Sequence, residues 1–256
     1  MEDLRDSVAA DVAAERLGRS PQEVRRMVRS GQLCAQRRAG RWAVPLSEVR
    51  RLERLPCPVG RPFSPRSAWA MLAMLAGEDL PYLSAPRRSQ LRRHLHDADI
   101  EDLAARLARR ADRKLACAHP SALSRLAADP RVVVSGLAAA ERAGARLVGV
   151  DAGEVEGYVA EGEVAAVCAQ HSVIDADAVA NVVLRIVDDA GVVPRRQGVA
   201  AATVVGLDLW ESGDALASEE GRRLFTEARA ICAGSSPCSR ASATYSAVAV
   251  LPASFR

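Results

Sequence analysis

The chain has 256 residues, 49% hydrophobic and 26% charged, with a formal net charge of +3. A chain of this length buries a core without disulfide or metal staples, and this mix excludes collagen, coiled-coil rods and wholly disordered chains. The charge is unevenly spread, net +6 over residues 1–66, +2 over 67–116 and −5 beyond, which points to one end that meets nucleic acid and another that meets something else.

Glu2, Asp3 and Asp6 make the first ten residues unlike a secretory signal. The longest apolar runs, near Ala68–Ala76 and Val199–Leu207, are about half the ~20 residues a membrane helix needs. The expected compartment is the cytoplasm, with no membrane partner.

The first expected element is a short helix with Val12, Ala13, Ala14 and Leu17 on one face, ended by Gly18. Ser20-Pro21 then caps and starts a second helix, Gln22–Ser30, with Val24, Met27 and Val28 inward and Gly31 at its end. A helix, a short turn and a capped second helix form the helix-turn-helix layout. Leu33–Arg37 and Arg41–Val44 flank Arg38-Ala39-Gly40 and predict a hairpin with Trp42 packed beneath it. Pro45 ends the hairpin, and Pro45 or Ser47 opens a closing helix with Val49 and Leu52.

This front module carries the candidate DNA-binding residues. They are Ser20, Gln22, Arg25, Arg26 and Arg29 on the second helix, and Arg37, Arg38 and Arg41 on the hairpin. Arginine reaches phosphates and guanine edges, and glutamine reads adenine. Glu23 stands among them and repels phosphate unless it accepts from a cytosine amino group.

Pro56, Pro58, Gly60, Pro62 and Pro65 suit neither a helix interior nor a central strand. They predict a linker over 56–66 behind a module spanning 1–55. A buried helix follows, from Ser64-Pro65 through Trp69, Met71, Leu72, Met74 and Leu75 to Gly77. Two strongly charged helices come next, Arg87–His96 and one capped by Asp99 that runs to Arg110. They read as a solvated face, with a second phosphate-contacting surface as the sharper alternative.

Beyond Arg113 the pattern is mixed. Strands are expected at Lys114–His119, Arg146–Val150, Val155–Val159 and Asn181–Val187. Helices are expected at Ser121–Ala127, Leu137–Ala143, Glu163–Gln170, Val199–Glu211 and Glu219–Ile231, the last capped by Ser218. Without strict alternation this predicts an α+β class: an N-terminal winged helix-turn-helix, a helical segment, then a mixed α+β domain. Residues 67–231 form the regulatory or partner-binding domain, and 232–256 a poorly ordered tail with at most a strand at Ala247–Leu251.

No catalytic constellation stands out. Asp208, Glu211 and Asp214 at i, i+3 and i+6 read as solvated carboxylates at a helix end rather than as a metal set. His94 and His96 point to different helix faces. His119 opens a helix, and Cys168 with His171 is a weak pair. Gly198–Gly206 lacks the lysine of a phosphate loop. Cys34, Cys57, Cys117, Cys168, Cys232 and Cys238 are scattered and expected to be reduced thiols. The chain is therefore expected to be no enzyme and to hold no metal or cofactor.

The run VAAERLG, SPQEVRRMVRSGQL and RRAGRWAVPLSEVRRL resembles the excisionase-type, MerR-like winged helix family. The resemblance rests on Ala13, Ala14, Leu17, Gly18, Ser20, Val24, Gly31, Leu33, Gly40, Trp42 and Pro45. It implies double-stranded DNA as a partner, contacted by the second helix and the wing. Further on, His119-Pro120-Ser121-Ala122-Leu123, Asp129-Pro130-Arg131-Val132-Val133, Glu156-Gly157-Tyr158-Val159, Asn181-Val182-Val183-Leu184-Arg185 and Leu207-Asp208-Leu209-Trp210-Glu211-Ser212-Gly213-Asp214 look like bacterial, specifically actinobacterial, helix-turn-helix proteins. Those proteins are related to AbiEi-type antitoxins of type IV toxin–antitoxin systems. This second resemblance implies an autoregulating repressor whose operon-encoded partner is a nucleotidyltransferase-fold toxin. A homodimer is expected, because repressors of this kind use two half-sites. The alternative is a ligand-responsive transcriptional regulator whose rear domain is a small-molecule sensor.

Overall fold

The computed structural model describes residues 2–3, 6–29, 32–54, 61–97, 100–147, 153–176 and 179–234. The front part runs β1 (Glu2–Asp3), β2 (Ser7–Ala9), α1 (Ala10–Arg16), α2 (Pro21–Arg29), β3 (Gln36–Arg38), β4 (Arg41–Pro45) and α3 (Leu46–Arg54). Gly18, at φ +61°, ends α1, and the Arg19 N–H returns to the Ala14 carbonyl at 2.9 Å. Pro21 opens α2, and the Ser20 hydroxyl accepts from the Glu23 N–H at 3.1 Å. Gly31, expected to end this helix, lies outside the described residues. Ala39 and Gly40 both take positive φ, the backbone a two-residue hairpin turn demands.

Strand β2 was not expected from the sequence. It pairs antiparallel with β4, giving a three-stranded sheet in the order β2-β4-β3. Ala13, Ala14, Val24, Met27, Leu33, Val44 and Val49 are buried as one cluster beneath it. Val12, expected inward, is 42% exposed. Residues 12 to 14 sweep about 200° around a helix axis, more than one face can bury.

The rear part contains α4 (Pro65–Leu75), α5 (Ala85–Asp97), α6 (Ile100–Leu107), β5 (Asp112–Cys117), α7 (Pro120–Ala127), β6 (Val133–Ser135), α8 (Gly136–Ala140), β7 (Val155–Ala160), α9 (Val164–His171), β8 (Ile174–Asp175), β9 (Val179–Ala180), β10 (Val182–Val187), β11 (Arg195–Arg196), β12 (Val199–Ala200), α10 (Ala202–Glu211) and α11 (Ala215–Gly234). Five strands form a mixed sheet in the order β6-β7-β10-β5-β8. Strand β10 runs parallel to β7 and antiparallel to β5. The segment between β7 and β10 contains α9, as a parallel connection requires. The chain is thus mixed α+β, with a helix-turn-helix region in front.

Apolar burial explains the rear core. Ala68–Leu75 of α4 is buried at every position, as its nearly all-apolar surface predicts. Helices α10 and α11 touch through glycine. A Cβ at Gly221 would strike the Gly206 carbonyl, so the two backbones come closer than any larger residue allows.

Several boundaries differ from expectation. Of the linker expected over 56–66, residues 56–60 lie outside the described residues, and Pro65 and Arg66 already belong to α4. Asp99, the expected cap of α6, also lies outside. Val199 and Ala200 pair with β11 rather than opening α10, because Gln197 and Gly198 take positive φ and turn the chain back. Helix α11 starts at Ala215, four residues early. Asp214 caps it, accepting from the Ala217 N–H at 2.8 Å, while Ser218 donates to the Trp210 carbonyl. The helix continues to Gly234, so residues 232–234 of the expected tail are helical. Residues 235–256, including the strand expected at Ala247–Leu251, lie outside. Arg146 and Leu147 form no strand, and the rest of that expected strand lies outside.

Candidate nucleic-acid interface

Helix α2 is held to the module by Val24 and Met27 and leaves its other faces to solvent. Gln22, Arg25, Arg26 and Arg29 are exposed there, as is Ser20 at its start. Arg37, Arg38 and Arg41 are exposed on the hairpin. All eight residues singled out from the sequence therefore lie on the surface of one module.

The local geometry assigns them different work. The Ser20 hydroxyl is engaged as a helix cap. Arg37 lies over the Trp42 ring, 5.3 Å from its centroid, which fixes an otherwise mobile side chain. Arg38 and Arg41 face each other across the turn in the β3–β4 register. Directly opposed like charges on a sheet face are unfavourable, and an anion between them relieves the repulsion. Arg38 also donates to Gln36 Oε1 at 3.3 Å.

Glu23 is neutralised in place. Arg19 donates to its carboxylate at 2.6 Å, and the Arg26 guanidinium lies 3.9 Å away. The acid on the exposed helix is therefore collared by two arginines and does not face phosphate as a bare charge.

Behind this surface sits Glu48, buried without exposed area on α3. Burial by itself pushes its carboxyl up. The Arg113 and Arg51 guanidiniums, with the Cys34 N–H, override that and hold it at about 2.

The rear part contains a second buried ionic cluster. Arg110 donates to Glu211 at 2.6 and 2.7 Å and to Asp208 at 2.6 Å. Arg185 reaches Glu156 at 2.5 Å, Glu211 at 3.0 Å and Asp208 at 3.2 Å. The Tyr158 hydroxyl donates to Asp208 at 2.9 Å and accepts from Arg110 Nε at 3.1 Å. Ser135 also donates to Asp208. Asp208 and Glu211, read as solvated from sequence, are buried. Their spacing does put them on one face of α10, but that face meets two arginines rather than water. The available signal was an acid inside the otherwise apolar stretch Thr203–Leu209. Arg110, expected at the end of a solvated helix, is likewise buried.

Beside this cluster lies a cavity of about 360 Å³. Arg113, Arg185, Glu154 and Glu156 line it together with Leu137 and Val183. Among the described residues no group of three or more histidine, cysteine or acidic side chains is placed to hold a metal ion. His119 accepts from the Ser121 N–H and caps α7. His171 is paired with Asp129 at 2.8 Å.

Residues 10–54 match the family described as a helix-turn-helix domain. No curated protein matches the chain, and no solved structure does. No described helix is long and apolar enough to cross a membrane.

Proposed function

We propose that this chain is a sequence-specific DNA-binding transcriptional repressor. The observation that carries the reading is the family match over 10–54 together with the exposed set Gln22, Arg25, Arg26 and Arg29 on the second helix of that match. In this reading α2 lies in the major groove, where arginine and glutamine side chains read base edges. The β3–β4 hairpin acts as a wing, with Arg37, Arg38 and Arg41 on the phosphate backbone. The protein binds as a homodimer to an inverted repeat, so that two reading heads meet two half-sites. It carries out no reaction of its own.

The finer proposal is that the repressor is the autoregulating antitoxin of a toxin–antitoxin pair with a nucleotidyltransferase-fold toxin. The phrases around Asn181–Arg185 and Leu207–Asp214 and the net −5 beyond residue 116 support it. The test is a gel-shift and footprint on the DNA upstream of the gene, at two salt concentrations, with and without the neighbouring gene product. A protected inverted repeat that changes when the neighbour is added supports the antitoxin. Absence of any protected site refutes the repressor.

The second reading is a ligand-responsive regulator. The cavity beside Arg113 and Arg185 favours it, since it combines apolar walls with a few fixed polar groups. Protection that ignores the neighbouring gene product but responds to a small molecule selects this reading.

A further inference from the structure

Glu48 is where the rear sheet meets the reading head. Its Oε2 accepts from the Cys34 N–H at 3.0 Å and from Arg51 at 3.1 Å. Its Oε1 accepts from Arg51 Nε at 3.0 Å and from Arg113. Arg51 also donates to the Gln32 carbonyl at 3.1 Å. The carboxylate and its arginine thus grip both ends of the stretch from Gln32 to Cys34. That connector lies in the chain between α2 and β3, the two elements proposed to meet DNA.

Arg113 comes from outside the module, on β5 of the rear sheet. It reaches the connector once through Glu48 and once directly. Its guanidinium meets Glu48, and its carbonyl accepts from the Cys34 thiol at 3.2 Å. Cys34 also packs against the apolar cluster of Leu115, Ala176, Ala180 and Val183 in the rear part. Glu48 and Arg51 already form an ion pair within α3, so this carboxylate has a cation from its own module besides Arg113. What Arg113 adds is a fixed link from the rear sheet to the connector.

We infer that Arg113 is a positioning residue for sequence reading: it sets, through Glu48 and Cys34, how α2 and the hairpin present themselves to DNA together. The inference rests on the DNA-reading function proposed above. Non-specific affinity comes from neutralising phosphates and survives a small change of angle. Base readout needs the helix and the hairpin seated in one register, so it does not.

The experiment first selects a preferred duplex from a random pool with the full-length wild-type protein. Arg113→Met and Arg113→Lys are then compared with wild type on the selected duplex and on a scrambled one, alongside thermal unfolding. Arg113→Met is expected to lose about tenfold on the selected duplex, the scale of one base contact, and nothing on the scrambled one. Arg113→Lys keeps a cation opposite Glu48 and recovers most of the loss. If Arg113→Met does not fold, Arg113→Gln, which keeps a donor without the charge, is read in the same way. Equal affinity of variant and wild type on the selected duplex overturns the inference. So do equal losses on both duplexes, which mark a purely structural role. A wild-type protein that selects no sequence refutes DNA reading itself, and it does so before any variant is made.

Discussion

Arg110 and Glu211 stand 101 positions apart and meet through two hydrogen bonds, at 2.6 and 2.7 Å, with both side chains buried. This bidentate contact ties the end of the α6 segment to the end of α10. Arg185 and Tyr158 from two neighbouring strands close the cluster around it.

Removing one partner leaves charge stranded without water. Arg110→Met leaves Asp208 and Glu211 with Arg185 as their remaining ion-pair partner among the described residues. A loss of about 3–5 kcal/mol is expected, the range for breaking a buried pair from one side. Urea denaturation measures it, and a midpoint within error of wild type would contradict the role given to this cluster.

Acid should unfold the protein through its depressed carboxylates: hydrogen bonds from Arg131 lower Asp129 and from Arg223 lower Glu220, and two more, Glu48 and Glu211, are lowered although buried. Burial raises both, but Arg113 and Arg51 hold Glu48 at about 2, and Arg110 and Arg185 hold Glu211 at about 2, against an ordinary 4.5. A depressed folded value gives stability that is complete above the unfolded value and lost as pH falls towards the folded one. Glu156 works the other way: burial raises it and Arg185 only partly offsets that. Its own contribution therefore favours the fold at low pH and fades as pH rises. The depressed groups outweigh it, so stability is expected to fall between about pH 5 and pH 2. Denaturant midpoints across that range test this, and Glu211→Gln should flatten the acid limb.

Glu23 restrains Arg19 and Arg26. Glu23→Gln frees two guanidiniums and removes one negative charge beside the proposed phosphate path. Affinity for random-sequence DNA at low salt should rise several-fold, about 1 kcal/mol or less for exposed pairs. Fluorescence anisotropy with a labelled duplex measures it. Unchanged or weaker binding would mean that Glu23 does not lie beside phosphate.

The two arginine sets should separate by kind of loss. Arg37→Ala with Arg38→Ala should weaken binding to all duplexes alike and reduce the salt slope by about 1 for each phosphate no longer neutralised. Arg25→Ala or Arg26→Ala should also relax sequence preference. Titrations at several salt concentrations, on selected and scrambled DNA, distinguish the two. Uniform losses from the α2 variants would reassign the reading helix.

Gly221 is a packing glycine. A methyl group there meets the Gly206 carbonyl and lies 2.6 Å from the Trp210 nitrogen. Gly221→Ala should therefore destabilise by about 1–3 kcal/mol through overpacking of α10 on α11, despite the better helix propensity of alanine. A thermal melt of the variant decides between the two effects, since a raised Tm means propensity wins.

The helix-turn-helix region was readable from the sequence because its signals are local. Ser20-Pro21 caps α2, Gly18 stops α1 and Ala39-Gly40 turns the hairpin, each within a few residues of the structure it specifies. Strands β7 and β10 and the buried α4 were equally plain: α4 is an unbroken apolar run over Ala68–Leu75, and the two strands are β-branched and apolar but for Glu156 and Arg185. Two-residue strands such as β9, β11 and β12 carry too few side chains to show a period. Strand β2 became a strand because β4 offered it partners.

The long-range partners in the ionic clusters belong to tertiary structure alone. Asp208 and Glu211 at i and i+3 have the same spacing whether they face water or arginine. Arg110 and Arg185 arrive from positions far away in the chain. Glu48 looks like any acid in the first turn of a helix until Arg113 reaches it across 65 positions. Local propensity reports on neighbours along the chain, whereas the fate of a charge depends on what the fold places opposite it.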